Sequence, residues 1–212
     1  MALTLLDVAD LACRRGGRAV FDRLSFALGG GELLTLTGRN GSGKTTLLRA
    51  LALLVQPQAG TIRWQGADVQ ADPETWRGRL AWLGHLDGLK GDLTIRENLL
   101  VAERLRGASA TERLDEALAA FDLGALARRP ARTLSAGQRR RAALARVLLS
   151  KAPLWLLDEP LNALDAAAQQ AFRTVLQRHL TQGGLAIAAT HVDLGLTGMR
   201  VLELDAPRKA LP

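Results

Sequence analysis

A glycine-rich stretch at residues 38–45 constrains the fold of this chain more than any other feature. Glycines at this spacing let successive backbone N–H groups turn inward around an anion, and the N-terminus of a following helix adds its dipole. An apolar run at 33–37 precedes the stretch and a helical pattern at 44–53 follows it, so we predict a strand, a phosphate-binding loop and a helix. Lys44 would reach the β and γ phosphates of a nucleoside triphosphate, and the Thr45 hydroxyl would ligate Mg²⁺. The predicted phosphate-binding residues are Gly38, Arg39, Asn40, Gly41, Ser42, Gly43, Lys44, Thr45 and Thr46.

Two adjacent carboxylates follow a short apolar run at 154–157. Such a run is typical of a central parallel strand, and ligands bind at the carboxyl ends of parallel strands in open α/β sheets. Beside a phosphate-binding loop, Asp158 would hold the Mg²⁺ shell and Glu159 would act as general base toward the attacking water. The alternative is a strand that ends in solvated charges, which the neighbouring loop motif makes the weaker interpretation.

Composition limits the class of protein. A chain of 212 residues with 48% apolar and 23% charged residues is long enough for a substantial core and does not read as disordered. The single cysteine, Cys13, excludes an internal disulfide and fits a reducing compartment. The start of the chain does not resemble a signal peptide, and every apolar run is shorter than the about 18–20 residues of a membrane span, so we expect the chain by itself to be soluble.

The net charge of +7 leaves three interpretations open. The simplest is a surface rich in solvated arginine. The second is attraction to an anionic membrane face or to ATP. The third is nucleic-acid binding, which we do not expect, because four Phe, four Trp and no Tyr offer few stacking platforms and the chain carries no nucleic-acid motif.

The order of periodic segments predicts an α/β fold. Strand-like runs dominate the first third, amphipathic helices the middle and alternating strands and helices the last third, which implies parallel strands with crossover helices. We predict one domain, with a nucleotide-binding core and an N-terminal antiparallel β subdomain formed by 1–86 and 136–212, and a helical insertion at 87–135. The expected strands are 3–8, 20–28, 33–37, 61–64, 154–157, 185–189 and 201–204, and the expected helices are 44–53, 95–106, 109–121, 136–149 and 166–180.

A second anion site is predicted before the helix at 136–149. A serine, a small residue and a glycine at a helix N-terminus can bind a phosphate, yet one nucleotide has only one triphosphate tail. The stretch reads Leu134-Ser135-Ala136-Gly137-Gln138, and the later motifs are Asn162-Ala163-Leu164-Asp165 and Thr190-His191. The phosphate-binding loop, this stretch, the acidic pair and these two motifs stand in the same order as in the nucleotide-binding domain of ABC transporters, which the chain resembles over nearly its whole length.

The resemblance implies roles that the residues alone do not. In this family two such domains pack head to tail, so Ser135, Ala136, Gly137 and Gln138 of one copy would close on the ATP that Lys44 of the other copy holds. Asp165 would run along the seam between the copies. His191 would contact the γ-phosphate and position Glu159. Without the other motifs, His191 would be better interpreted as a core histidine. We interpret the run Arg139-Arg140-Arg141 as a partly solvated helix face near the nucleotide or the membrane partner.

Three positions depart from the family pattern. His85 stands where a glutamine usually approaches Mg²⁺, and its nitrogen is a poorer Mg²⁺ ligand than an oxygen, although it would still hydrogen-bond to water or phosphate. Arg15 stands where an aromatic residue usually stacks on adenine, and a guanidinium stacks on a purine plane. Ala136 replaces the first glycine of the commoner Leu-Ser-Gly-Gly-Gln, a mild change if its φ is negative.

These departures point to one branch, the ATP-binding subunits of the haem exporter of cytochrome c maturation (the CcmA family). The resemblance implies integral membrane partners, a second copy of the chain, and a peripheral position on the cytoplasmic face of the bacterial inner membrane. A subunit for another cargo, such as a lipid or drug, stays open. A soluble ABC ATPase acting on DNA or translation is disfavoured, because only about 90 residues separate Thr45 from Ser135. The shared stretches are Cys13-Arg14-Arg15-Gly16, Leu83-Gly84-His85, the Leu-Thr-x-x-Glu-Asn-Leu segment 93–99, Leu154-Trp155-Leu156 and Gln182-Gly183-Gly184, whereas Leu161-Asn162 differs from the usual pair.

Overall fold

The chain folds around two β-sheets of different kinds. A computed structural model describes residues 4–16, 18–106 and 111–204. The strands in these residues are β1 (Thr4–Arg15), β2 (Arg18–Gly29), β3 (Leu33–Thr37), β4 (Ala59–Trp64), β5 (Ala67–Asp68), β6 (Leu80–Leu83), β7 (Leu154–Asp158), β8 (Leu185–Ala189) and β9 (Arg200–Glu203). The helices are α1 (Lys44–Leu51), α2 (Pro73–Gly78), α3 (Ile95–Arg104), α4 (Thr111–Ala120), α5 (Ala136–Leu149) and α6 (Ala166–Thr181), with short 3₁₀ helices at Gly124–Leu126 and Ala131–Thr133. An antiparallel sheet has the order β2-β1-β4-β5, and a parallel sheet has the order β6-β7-β8-β3-β9.

The predicted α/β class, with a parallel sheet and an N-terminal antiparallel sheet, is confirmed. Strands β3 and β8 and helix α5 have the predicted bounds, and the other predicted elements shift by one or two residues at their ends, except that β1 continues to Arg15, well beyond the predicted run 3–8. Residue 3 of that run and residues 109–110 of the helix predicted at 109–121 lie outside the described residues. Strand β6 and helix α2 were not predicted, because a four-residue apolar run and a six-residue helix carry too little periodicity to be recognised. The division of the domain at 86 and 135 stays a prediction, and its outer parts include residues 1–3 and 205–212, which lie outside the described residues.

Strand β7 separates two hydrophobic cores. Side chains of a strand alternate between its faces, so Leu154 and Leu156 pack into the core that contains α1, whereas Trp155 and Leu157 pack into the core that contains α5 and α6. The neighbouring strands β6 and β8 run parallel to β7 on both sides. The last residue of β7, Asp158, follows Leu156 in this alternation and lies on the α1 side of the sheet.

Local hydrogen bonds fix the start of α3. Thr94 and Glu97 form a reciprocal capping box, since Glu97 N–H donates to Thr94 Oγ1 and Thr94 N–H donates to Glu97 Oε2. The buried Asn98 amide donates to the carbonyl oxygens of Lys90, Leu93 and Thr94 and accepts from the N–H of Lys90. The Glu-Asn pair therefore fixes the loop that leads into the helical region. No helix in the described part of the chain has both the length and the apolar character needed to cross a bilayer.

A half-buried histidine lies at the amino end of the parallel sheet. The ring of His179 stacks on that of Trp155 with centroids 3.9 Å apart and planes at 11°. Its Nε2 lies 3.0 Å from the carbonyl oxygen of Leu185, and because a carbonyl only accepts, Nε2 carries the proton. Burial lowers the pKa of His179 below its ordinary value of 6.5, and the hydrogen bond to Leu185 partly opposes that effect.

We therefore expect His179 to make stability depend on pH. The unfolded chain takes up a proton near pH 6.5 and the folded chain does so only at lower pH, so the stabilising effect is complete above pH 6.5 and is lost as the pH falls toward the folded-state pKa. This histidine changes the free energy of unfolding by at most about 1.4 kcal/mol per pH unit between the two pKa values. Urea unfolding at pH 7.5, 6.5 and 5.5 measures the slope, which should be smaller in His179→Phe. An equal slope in the two proteins would contradict this assignment.

Candidate functional site

The loop between β3 and α1 has the backbone that a phosphate site requires. Gly38 and Gly43 adopt φ values of 128° and 106°, which lie outside the range that other residues favour. A Cβ at Gly38 would lie 2.3 Å from the carbonyl oxygen of Leu204, and one at Gly43 would lie 2.5 Å from Val20 Cγ1. Both glycines are therefore needed for conformation and for space, and β2 contacts the loop through Val20.

Lys44 begins α1 and is 8% exposed. Its Nζ donates to the carbonyl oxygens of Gly38 and Arg39, at 2.6 and 3.2 Å, so the ammonium group lies over the loop. The hydroxyl of Ser42 is buried and has no hydrogen-bond partner among the described residues. A cationic group and a free hydroxyl donor in a loop of turned N–H groups can bind an anion with several oxygens.

A hydroxyl and a carboxylate meet at the first turn of α1. Thr45 Oγ1 lies 3.0 and 3.2 Å from the two carboxylate oxygens of Asp158, which is 5% exposed at the end of β7. Mg²⁺ prefers oxygen ligands and is commonly bound by one or two protein groups together with phosphate oxygens and waters. The structure therefore brings the predicted pair, Thr45 and Asp158, together. Their oxygen atoms are ligands of the kind that Mg²⁺ needs, and the two residues would hold this ion.

Glu159 lies in a strained backbone position. Its φ of 48° is in the left-handed region, which non-glycine residues adopt at a cost of about 1–3 kcal/mol. Its N–H donates to the carbonyl oxygen of Ala189 at 2.8 Å. The carboxylate Oε1 lies 3.8 Å from Nε2 of His191, which is longer than a hydrogen bond, and the two side chains are 21% and 50% exposed. The structure thus places the predicted base and the predicted histidine side by side at one edge of the sheet.

Thr190 fixes the turn that carries His191. Thr190 is 1% exposed, and its hydroxyl accepts from the N–H of Val192 at 3.0 Å. Such a turn holds the following residue at the carboxyl end of β8. His191 is not a core histidine, because half of its side chain is exposed.

Ser135 and Gln138, from the predicted second anion site, cap the start of α5. Gln138 N–H donates to Ser135 Oγ at 3.2 Å and Ser135 N–H donates to Gln138 Oε1 at 2.9 Å, a reciprocal capping box. A Cβ at Gly137 would lie 2.7 Å from the carbonyl oxygen of Ala163, so the glycine permits close approach of the loop that leads to Asp165. The Asp165 side chain caps α6 by accepting from the N–H of Ala168. Ser135, Gly137, Gln138 and Asp165 line one surface depression, which Ala136 does not line. In the described part of the chain no hydrogen bond joins Ser135 or Gln138 to the phosphate loop.

Arg140 corrects the interpretation of the arginine run. We expected Arg139-Arg140-Arg141 to be a partly solvated face, but Arg140 is only 4% exposed. One terminal nitrogen donates to the carbonyl oxygens of Asp158 and Glu159, each at 2.6 Å. Burial lowers the pKa of its guanidinium, and Asp87 opposes that effect. The prediction was wrong for this residue because its acceptors lie on another part of the chain.

The remaining predicted residues lie near the site without a contact that assigns their roles. Arg15 is exposed at the end of β1, opposite Arg18. His85 is exposed two residues beyond the end of β6, at the same edge of the sheet as Glu159. The hairpin of β1 and β2 approaches the phosphate loop, and the role of Arg15 toward adenine and that of His85 toward Mg²⁺ or water stay predictions.

Comparison with known proteins identifies the family. The model of the ABC transporter family matches residues 21–162, a span that contains the phosphate loop, the capped start of α5 and the acidic pair. The chain belongs to the ABC transporter family. As an ABC protein of this type it is an ATPase that binds ATP.

Curated relatives define the branch of the ABC family. A protein of Rhodospirillum rubrum named cytochrome c biogenesis ATP-binding export protein CcmA is 51% identical, and the match covers 92% of this chain and 84% of the relative. A protein of the same name from Cupriavidus necator is 48% identical, with 96% and 89% covered. The chain therefore belongs to the CcmA family of ABC proteins, which confirms the resemblance drawn from the motifs.

Solved structures confirm the ABC fold. An ATP-binding subunit of an ABC transporter superposes with a TM-score of 0.87 at 26% identity, covering 96% of this chain and 88% of the other. A dimeric ATP-binding cassette in a post-hydrolysis state, bound to ADP and phosphate, gives a TM-score of 0.85 at 23% identity, covering 96% and 97%. The second likeness concerns the fold alone. Val20 and Arg140 make contacts at the site that the motifs did not reveal.

Proposed function

We propose that this chain is the ATP-hydrolysing subunit of a bacterial inner-membrane exporter complex of cytochrome c biogenesis, as the names of its relatives indicate. The observation that carries the catalytic half of this proposal is the meeting of Thr45 and Asp158 beside Lys44. A phosphate cradle, an oxygen pair for Mg²⁺ and a carboxylate one residue further on form the set that phosphoryl transfer to water requires. ATP is the substrate and Mg²⁺ the expected cofactor.

Each residue of the site has a separate role in ATP hydrolysis. The turned N–H groups of the loop and Lys44 bind the β and γ phosphates, and Thr45 and Asp158 would hold Mg²⁺, which would neutralise charge that develops on the phosphate oxygens. Glu159 accepts a proton from the water whose oxygen attacks the γ-phosphorus, as the bond to the bridging oxygen of ADP breaks. His191, 3.8 Å from Glu159, orients that carboxylate and contacts the γ-phosphate.

The second phosphate-binding helix end belongs to a composite site. No residue of the phosphate loop at 38–45 lines the depression at Ser135, Gly137 and Asp165, so the capped N-terminus of α5 is available to another nucleotide. Two copies packed head to tail would place Ser135 of one beside the γ-phosphate held by the other. Asp165 would then lie at the seam, and each copy would complete the other's site.

The partners at the membrane would be integral subunits of the same complex. The chain's net charge of +7 favours the anionic cytoplasmic face of the inner membrane, where it would sit as a peripheral subunit. ATP use would drive haem export or the release of a haem-loaded chaperone. Export of another cargo, such as a lipid or drug, is the alternative that the experiment below separates.

The decisive experiment identifies what the full-length chain binds. The chain carrying an affinity tag is purified from detergent-solubilised bacterial membranes, with Glu159→Gln as a second bait to hold the ATP-bound form. We expect integral subunits of the cytochrome c maturation complex to copurify, and their amount to rise with Mg-ATP. Copurification with permease subunits of a lipid or drug exporter instead would overturn the proposed pathway and leave the ATPase assignment standing.

A further inference from the structure

Arg140 joins two parts of the nucleotide site through one guanidinium group. One terminal nitrogen donates to the carbonyl oxygens of Asp158 and Glu159, as described above. The other donates to the carbonyl oxygen of Gly84 at 2.9 Å and lies 3.3 Å from the carboxylate of Asp87. Four acceptors use all four protons of the two terminal nitrogens. The side chain therefore ties the end of β7 to the chain that follows β6.

The contact with β7 falls on the strained residue. Glu159 is held at its φ of 48° by a hydrogen bond from its N–H to the carbonyl oxygen of Ala189 and by two bonds that its own carbonyl oxygen accepts, from Arg140 at 2.6 Å and from the N–H of Asn162 at 3.2 Å. A left-handed conformation of a non-glycine residue persists only where its surroundings hold it. Arg140 thus helps to set the direction in which the Glu159 carboxylate points.

The contact after β6 falls on residues 84–88, which we call the 84–88 segment. Gly84 is buried and Asp87 half-buried, whereas the other three residues are exposed. The segment contains His85 and Leu86, and Leu86 is 82% exposed. A second arginine of α5, Arg146, donates to the carbonyl oxygen of Gly88 at 2.7 Å but has no hydrogen bond to β7. Helix α5 therefore holds this segment at both ends, and only Arg140 also holds the catalytic strand.

We propose that Arg140 is a positioning residue that couples the conformation of the 84–88 segment to the placement of Glu159. Movement of the segment would shift the guanidinium and with it the carbonyl oxygen of Glu159, and a change at Glu159 on ATP binding would be passed to the segment. The proposal rests on the proposed ATPase function and adds the residue that links its site to an exposed surface. The planar fork is needed, because a lysine has three donors from one atom and cannot span the two groups of acceptors.

Hydrogen–deuterium exchange of the full-length chain tests this coupling. Exchange of the peptide covering the 84–88 segment is measured with and without Mg-ATP in a Glu159→Gln background, which keeps ATP uncleaved. We expect ATP to change exchange in this peptide, and Arg140→Gln or Arg140→Lys to remove most of that change while ATP affinity stays within about 3-fold. Asp87→Asn, which keeps Arg140 and removes a partly exposed partner, should weaken the change and serves if the Arg140 variants do not fold.

Steady-state kinetics distinguish positioning of Glu159 by Arg140 from a general loosening of the 84–88 segment. With native Glu159, Arg140→Lys should lower kcat by about 10-fold or more with little effect on KM, because a small misplacement of a reacting group costs rate rather than binding. The matched variant Arg146→Gln should raise exchange of the 84–88 segment yet leave kcat within about 2-fold. An ATP-dependent change that persists without Arg140, or an equal fall of kcat in Arg146→Gln, would overturn the coupling. Failure of the unaltered chain to hydrolyse ATP would instead overturn the proposed function.

Discussion

Glu159→Gln is expected to abolish ATP turnover and leave ATP binding intact. Removal of a general base costs about 100- to 10,000-fold in rate, and glutamine has nearly the same shape as glutamate. The substitution spares the backbone contacts that hold residue 159, which run from its N–H to Ala189 and from Arg140 to its carbonyl oxygen. The carboxylate itself lies no closer than 3.8 Å to His191, so stability should change little. Phosphate release and ATP affinity measure the two parts of this expectation.

A matched substitution controls for loss of a carboxylate. Glu116 is exposed and pairs with Arg178 on α6, far in sequence from the site, so Glu116→Gln should keep full activity. Glu159→Gln should also accumulate as a closed dimer in Mg-ATP, seen by light scattering after gel filtration, because ATP is bound and not cleaved. Activity above about a tenth of the unaltered rate would assign the base to another residue.

Mixing two inactive variants is expected to restore hydrolysis. Lys44→Ala removes the ammonium group over the phosphate loop and should weaken ATP binding by about 10- to 100-fold, the effect of a lost charged hydrogen bond. Ser135→Asp keeps the cap of α5, because aspartate is as good an N-cap as serine, but places a negative charge where a phosphate should bind. A dimer of one chain of each kind has one site with an intact Lys44 and an intact Ser135.

The mixture distinguishes a composite site from a site within one chain. In an equal mixture about half of the dimers are mixed and each has one intact site, so about a quarter of the unaltered rate should return if the sites act independently. Ser135→Asp by itself should bind ATP as tightly as the unaltered chain when monomeric, because it keeps its own Lys44. A weakened affinity in that monomer, together with no recovery on mixing, would show that Ser135 belongs to the nucleotide of its own chain.

The parts of the site that local sequence determines were predicted. The loop at 38–45 depends on glycines, a lysine and a hydroxyl at fixed spacing, and a helix was expected to begin directly after Ser135. The reciprocal capping box of Ser135 and Gln138 was found in the structure. The bounds of β3, β8 and α5 followed from apolar runs that begin and end beside glycine, proline or capping residues. In these places the sequence pattern and the structural element that it predicts cover the same few residues.

The parts that depend on distant contacts were not predicted. Arg140 lies in a run of three arginines that has no local sign of burial, and its acceptors at Gly84 and Asp87 are 56 and 53 residues away. Val20 lies in a stretch with an ordinary strand pattern. Its contact with the phosphate loop arises only because β2 packs against Gly43. Strand β6 is too short to show a period, and its place beside β7 follows from the sheet as a whole.

The alternation of β7 limits which changes of length this chain can tolerate. Each residue of the strand is assigned to one of two cores, and the carboxylate of Asp158 meets Thr45 because it falls on the α1 face. Deletion or insertion of one residue between Leu154 and Asp158 would exchange the two faces, burying Trp155 in the wrong core and turning the carboxylate away from Thr45. Length differences between homologues should therefore fall in loops, and β7 should keep its number of residues even where their identities change.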